Sequence, residues 1–167
     1  GVITANGLKI EIEDCTKFGG NKFVHTGKVV EGTVKTDDTV TFAVNSEQRL
    51  ATARNHTATH ILQAVLKEVL GGHIEQAGSF VNKDRLRFDF THFQALSSEE
   101  LKKVEDLVNE YIKQDLKVER LEMTKEEALK LGAEAMFLDK YGDEVTIYKI
   151  GDVSMEFCGG PHVERTG

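Results

Sequence analysis

The stretch RNHTATHILQAVLKEVLGG, residues 54–72, constrains the fold more than any other part of the chain. Leu50, Ala53, Ile61, Ala64, Val65 and Val69 recur at helical spacing, which predicts a long helix capped by Ser46 and ended by Gly71-Gly72. His56 and His60, four residues apart, then project from one helix face. About a hundred residues later the chain reads MEFCGGPHVERTG, with Cys158 and His162 flanking two glycines and the only proline. Any fold of this sequence must either bury these four side chains as satisfied polar groups or give them something to bind.

A lone H-x3-H is ordinarily a pair of satisfied histidines on a half-buried helix, and a free cysteine is ordinarily an apolar core residue. Taken together, the two half-sites offer three imidazole nitrogens and one thiolate. That set suits tetrahedral Zn2+ better than hard cations, which prefer oxygen. Gly159 and Gly160, lacking Cβ atoms, let the loop curl so that Cys158 and His162 point at one ion. A zinc protease helix would carry Glu after its first His, where this chain has Thr57. A zinc deaminase would need a Glu beside its first ligand and a cysteine pair. Without an adjacent carboxylate on the helix, an activated ester fits the chemistry better than an amide.

At 167 residues the chain can bury one core, or a core and a small satellite. It has no apolar run of membrane-span length, which reads as a soluble protein. The net charge of -7 argues against indiscriminate nucleic-acid binding while leaving room for a local basic stripe. Two distant cysteines do not make a disulfide framework, and Cys15 reads as a buried thiol. Gly at position 1, and Thr166-Gly167 directly after the loop, suggest a piece of a longer chain.

Residues 1 to about 45 read as β, with alternation at Leu8, Ile10, Ile12 and at Val40, Phe42, Val44. Turns fall at Asn6-Gly7, Gly19-Gly20-Asn21, Glu31-Gly32 and Asp37-Asp38, and a small barrel-like sheet is expected. Residues 73–81 and 85–92 form a hairpin around Asn82-Lys83-Asp84. Leu86, Phe88 and Phe90 face its core side, and Lys83, Arg85 and Arg87 line the other as candidate phosphate contacts or an ordinary solvated face. Ser97 with Glu100 opens a helix to about Gln114 whose Leu101, Val104, Val108 and Tyr111 share a face. Thr124 with Glu127 opens a shorter one ending at Gly132. Residues 144–150 and 153–157 make a last hairpin that delivers Cys158 from a strand end.

The RNHTATH helix, the GSFVNKDRLRFDFTH hairpin and the CGGPH loop, in this order and spacing, resemble the editing domain of the alanyl-tRNA synthetase family and its free-standing trans-editing relatives. The editing domain of threonyl-tRNA synthetase is a more distant likeness. The resemblance implies an α+β, zinc-containing editing core over residues 51–167, preceded at 1–50 by the end of a glycine-rich β-barrel. It implies a cytoplasmic aminoacyl-tRNA ester hydrolase, working within an ATP-dependent alanine-tRNA ligase, that deacylates alanine tRNA carrying serine or glycine. The rest of the synthetase is its partner in cis, and no membrane is involved. His56, His60, Cys158 and His162 match the family's zinc ligands. Thr59, Gln76 and Ser79 match residues around the misacylated amino acid, with His73 beside them. His25 and His92 are left as surface or core residues. The family usually has Thr where this chain has Pro161.

Two other readings use the same residues. A free-standing deacylase needs no synthetase in cis. A zinc-stabilised tRNA-binding module would use Lys83, Arg85 and Arg87 without hydrolysis, and it expects no general base. A thiol nucleophile is the weakest alternative, because Cys158 lacks a plausible catalytic base that is not itself a candidate metal ligand.

Overall fold

The computed structural model describes residues 1–18, 22–135 and 142–167. The expected turn at Gly19-Gly20-Asn21 lies outside these residues. The chain divides into two compact units, Gly1–Arg49 and Leu50–Gly167.

The first unit holds β1 (Val2–Ala5), β2 (Leu8–Phe18), β3 (Lys22–Glu31) and β4 (Thr41–Ala43), in the order β3-β2-β1-β4. All pairings are antiparallel. Asn6-Gly7 makes the two-residue link between β1 and β2, with Gly7 at φ 66° as a tight hairpin requires. Val29, Ile10, Ile3 and Phe42 sit opposite one another in a row across the four strands and therefore share a face. Only Ile3 and Leu8 of this unit are buried hydrophobics among the described residues. Among the described residues β3 and β4 are the two edges of this sheet. Cys15 is exposed rather than buried, because β2 pairs there with β3 alone as a two-stranded ribbon.

The second unit is built on α1 (Ser46–Leu70), whose first turn contains the division between units. Its cap is Asn45, not Ser46: the Asn45 side chain accepts from the Gln48 amide at 3.0 Å. Leu50 is 46% exposed, so the buried surface begins one turn later, at Ala53. From there α1 is buried on two sides, with Ile61, Val65 and Leu66 apolar and Thr57, Thr59, His60 and Gln63 polar. A helix with a buried polar side must have partners waiting for it.

The hairpin β5 (Gln76–Val81) and β6 (Leu86–Phe90) follows, then α2 (Ser98–Lys113). Ile61, Val65, Leu66, Ile74, Val104 and Ile150 form one core, against which Phe88 and Phe90 pack. The Ser97–Glu100 capping box is present. Leu101, however, is 56% exposed; the face of α2 that packs on the core comprises Val104, Leu107, Val108, Tyr111 and Ile112.

A three-stranded antiparallel sheet in the order β7-β8-β9 completes the unit: β7 (Val118–Thr124), β8 (Glu144–Ile150) and β9 (Ser154–Phe157). β7 is not among the strands expected from the sequence; its Leu121 and Met123 alternate and pack on the second core of Ala128, Ala133, Val145, Ile147 and Phe157. Thr124 caps α3 (Lys125–Lys130) with a capping box, and Gly132 turns the chain at φ 83°. No described helix is long and apolar enough to cross a membrane.

Candidate metal centre and its cleft

Three backbone pieces of the second unit meet around one point. α1 supplies His56 and His60. β9 ends at Phe157, and the next residue, Cys158, is anchored by its amide to the Thr146 carbonyl at 3.1 Å. The loop beyond it carries His162. One ligand atom from each of His56, His60, Cys158 and His162 falls within 4.8 Å of the others.

The inward atoms are the same on two rings. His56 Nε2 lies 3.5 Å from Cys158 Sγ, and His162 Nε2 lies 3.4 Å from it. The outward nitrogens have other work. His56 Nδ1 is 3.1 Å from the Pro161 carbonyl, to which only a protonated nitrogen can bond. His162 Nδ1 is 3.0 Å from Thr57 Oγ1, which also accepts the Val163 amide at 3.2 Å. The carbonyl fixes the His56 tautomer with Nδ1–H outward and a free Nε2 lone pair toward the thiol, and the Thr57 hydroxyl, which can donate or accept, is compatible with the same arrangement of His162. His60 Nδ1 is buried and has no hydrogen-bond partner; Glu156 Oε2 lies 3.5 Å away, too far for a well-made bond. Tyr148 packs on His162 with ring centroids 4.1 Å apart.

The two glycines differ in purpose. A Cβ on Gly160 would lie 2.2 Å from His56 Cε1, so close approach of the loop to the ring demands glycine there. Gly159 meets nothing within 4 Å, and neither residue has a positive φ. Pro161 contributes its carbonyl to His56.

Burial sets the electrostatics. Desolvation, with the neighbouring His56, lowers the His60 pKa to about 3, and desolvation with His60 and His56 nearby lowers that of His162 to about 2. Burial also lowers His56, against the Pro161 bond that raises it. The same desolvation raises the Cys158 thiol above its ordinary value, and raises Glu156 to about 7 despite its bond from Ser154. The site thus presents neutral imidazoles ready to ligate and a thiol that must lose a proton to do so. With three nitrogens and a sulfur, it can hold a borderline or soft metal ion.

A cleft of about 630 Å³ opens on the cluster. Thr59, Gln63 and Lys67, a stripe on α1, contribute to its lining with Gln76 and Ser79 of β5. Thr59 Oγ1 donates to its own helix at Asn55 O, 2.8 Å away, and Gln76 Nε2 donates to Ser79 Oγ at 2.9 Å. His73 does not reach the cleft. Its Nε2 lies 2.8 Å from His92 Nδ1 on an exposed surface, because the chain turns between Gly71 and Ile74 before β5 begins. Lys83, Arg85 and Arg87 are exposed and are not part of the cleft lining, which this hairpin reaches through Gln76, Ser79 and Val81. Two of them carry acidic partners: Lys83 pairs with Asp84 at 2.7 Å, and Arg87 with Asp89 at 3.0 Å. Arg85 lies over the Phe80 ring, 5.7 Å from its centroid.

Sequence reasoning does not find Glu156, Glu134 or Gln63, and it meets Thr57 only as the position where a helix carboxylate is absent. Glu156 shares the strand face of Cys158 by its two-residue spacing, a signal that was available. Glu134 had no such signal. Its backbone bridges β9 through Met155 and Phe157, and its carboxylate takes bonds from Gln63 and Lys67.

Comparison with known proteins fits this geometry. Residues 145–167, which carry β8, β9 and the CGGPH loop, match the model of the threonyl and alanyl tRNA synthetase second additional domain. The chain is 54% identical over 166 residues to an alanine-tRNA ligase of Pelotomaculum thermopropionicum, and 49% identical over 166 residues to one of Acetivibrio thermocellus. It is 48% identical over 167 residues to that of Stenotrophomonas maltophilia. These alignments cover 99–100% of the chain and 19% of each relative, so the chain spans about a fifth of the length of the curated relatives it matches. The C-terminal segment of the chain is thus similar to the threonyl and alanyl tRNA synthetase second additional domain, and the chain along its whole length is similar to one part of alanine-tRNA ligases.

Proposed function

We propose that the chain is a zinc-dependent editing unit of an alanyl-tRNA synthetase, which hydrolyses the ester joining serine or glycine to alanine tRNA. In this reading residues 51–167 are the editing core, residues 1–50 belong to a small β-barrel before it, the rest of the synthetase acts in cis, and the site of action is the cytoplasm. The observation that carries the proposal is a four-ligand cluster at the end of a cleft lined by Thr59, Gln76 and Ser79.

The donor set fits zinc. Ordinary Zn–S and Zn–N lengths in a tetrahedron put sulfur and nitrogen about 3.6 Å apart. The two sulfur–nitrogen separations here are 3.5 and 3.4 Å. When bound, zinc would supply a fixed positive charge beside the acyl group, and with all four side chains ligating it would hold the shape of the cleft rather than coordinate the ester directly.

The chain's own residues handle the substrate. Thr59 is 5% exposed, and its hydroxyl proton is committed to Asn55 O, so Thr59 Oγ1 can only accept. A serine side chain can donate to it. Alanine cannot, and the hydrogen bond it forgoes is worth about 0.5–1.5 kcal/mol, or roughly two- to twelvefold in rate ratio. The contact therefore discriminates against the correct ester. Ser79 Oγ accepts from Gln76, which leaves its own O–H to donate to the ester or to the attacking water. Lys83, Arg85 and Arg87 are the proposed phosphate contacts. Arg85 is the freest of the three, because the others have acidic neighbours.

The test is deacylation of alanine tRNA charged with serine or with alanine by the zinc-loaded protein. Serine should be released preferentially. Thr59→Val should lower the serine-to-alanine rate ratio about tenfold with zinc still bound. If neither ester is cleaved faster than without protein, the hydrolytic reading fails and the tRNA-binding module takes its place.

A further inference from the structure

We propose that Glu156 is the positioning residue for His60: its carboxylate holds the imidazole with Nε2 turned toward the metal, and Ser154 holds the carboxylate in place. The inference rests on reading the four-residue cluster as a zinc site, and it assigns to that site a determinant of affinity that is not itself a ligand.

The three imidazoles are not held alike. His56 leans on the Pro161 carbonyl and His162 on the Thr57 hydroxyl, each through Nδ1. His60, 5% exposed, is the one whose Nδ1 is buried without a hydrogen bond. Its polar neighbour there is Glu156 Oε2, at 3.5 Å. Glu156 is itself 8% exposed. Ser154, also buried and two residues earlier on the same face of β9, donates to Glu156 Oε1 at 2.8 Å. That bond leaves Oε2 for the histidine.

This arrangement has a physical cost in the absence of a cation. The nearby Lys67 is bonded to Glu134 instead. A carboxylate removed from water with no cation partner, next to an imidazole nitrogen with no acceptor, is unfavourable. Both groups become useful once His60 Nε2 binds a divalent ion. Coordination polarises the ring, makes Nδ1–H a stronger donor, and gives the carboxylate an opposite charge to face. The pair is therefore built for the metal-bound state. Glu156 touches no reacting atom in this role and acts through His60.

The experiment uses the whole chain, stripped of metal and titrated with zinc against a chromophoric chelator, for the parent, Glu156→Gln and Ser154→Ala. Glu156→Gln keeps the side-chain volume and removes the charge. It should weaken zinc binding about 10- to 100-fold, the range typical of outer hydrogen-bond partners of a ligating histidine. Ser154→Ala should weaken it by less than tenfold. Cobalt-loaded Glu156→Gln should keep the visible absorption of a tetrahedral site. The metal-free Glu156→Gln protein should melt no lower than the metal-free parent, because a buried charge has been removed. Parental zinc affinity in Glu156→Gln, or a weakening matched by destabilisation of the metal-free protein, overturns the inference and makes Glu156 a packing residue. If the parent itself takes up no zinc, the reading of the cluster falls too; if the parent binds and Glu156→Gln binds equally, only the role of Glu156 falls.

Discussion

The second unit contains two groups of neighbouring histidines, and only one has the attributes of a metal centre. In the first, the rings of His56, His60 and His162 lie 4.2 to 5.2 Å apart around Cys158. In the second, His73 and His92 lie 5.0 Å apart, with the exposed Phe93 ring 4.4 Å from His92. Ring proximity is the same in both. What differs is where the nitrogens are spent. His73 and His92 use a ring nitrogen on each other at 2.8 Å, whereas His56 and His162 turn Nδ1 to outside partners and Nε2 inward to the thiol. A binding site here means a set of lone pairs that the protein has paid to leave open.

Removing the thiol breaks this difference most severely. Cys158→Ala should lower zinc affinity about 100-fold or more, read by competition with a chelator, and should slow hydrolysis of serine and alanine esters alike. Retained affinity would mean that the thiol is only a packing group.

A smaller effect should follow pH. His60 and His162, with pKa values lowered to about 3 and 2, are neutral across pH 6 to 8, burial shifts His56 in the same direction, and the raised thiol is protonated there. Zinc binding then displaces one proton, from Cys158, and affinity falls about tenfold for each pH unit from 8 to 6. Calorimetry in buffers of different ionisation enthalpy counts that proton. A count of two or more would show that the imidazoles are charged in the metal-free protein and that their burial does not govern them.

The smallest effect is the control. Replacing His73 and His92 together by Ala should leave zinc stoichiometry and affinity at parental values, measured in the same titration. A drop would place this pair in the metal centre after all.

Parts of this contrast could be read in the sequence, because they rest on local rules. The i, i+4 spacing of His56 and His60, the capping boxes at Ser97 and Thr124, and the strand that delivers Cys158 each depend on a few neighbouring residues. Other parts depend on contacts between distant segments. Leu101 fits the period of α2 yet stays exposed, since the core meets that helix one turn later. Cys15 was placed inside on the habits of its residue type, but no second layer covers its strand pair among the described residues. His73 stood three residues from Gln76 in sequence, and the turn after Gly71 carried it elsewhere. Thr57 was visible only as a missing general base. In the structure it holds His162, a role that depends on a contact 105 residues away.

The central claim is that His56, His60, Cys158 and His162 bind one zinc ion together. X-ray absorption at the zinc edge of the loaded protein tests it most directly. The account predicts one zinc per chain, with one sulfur at about 2.3 Å and three nitrogens at about 2.0–2.1 Å. A shell without sulfur, or a six-coordinate shell of oxygens, would contradict it.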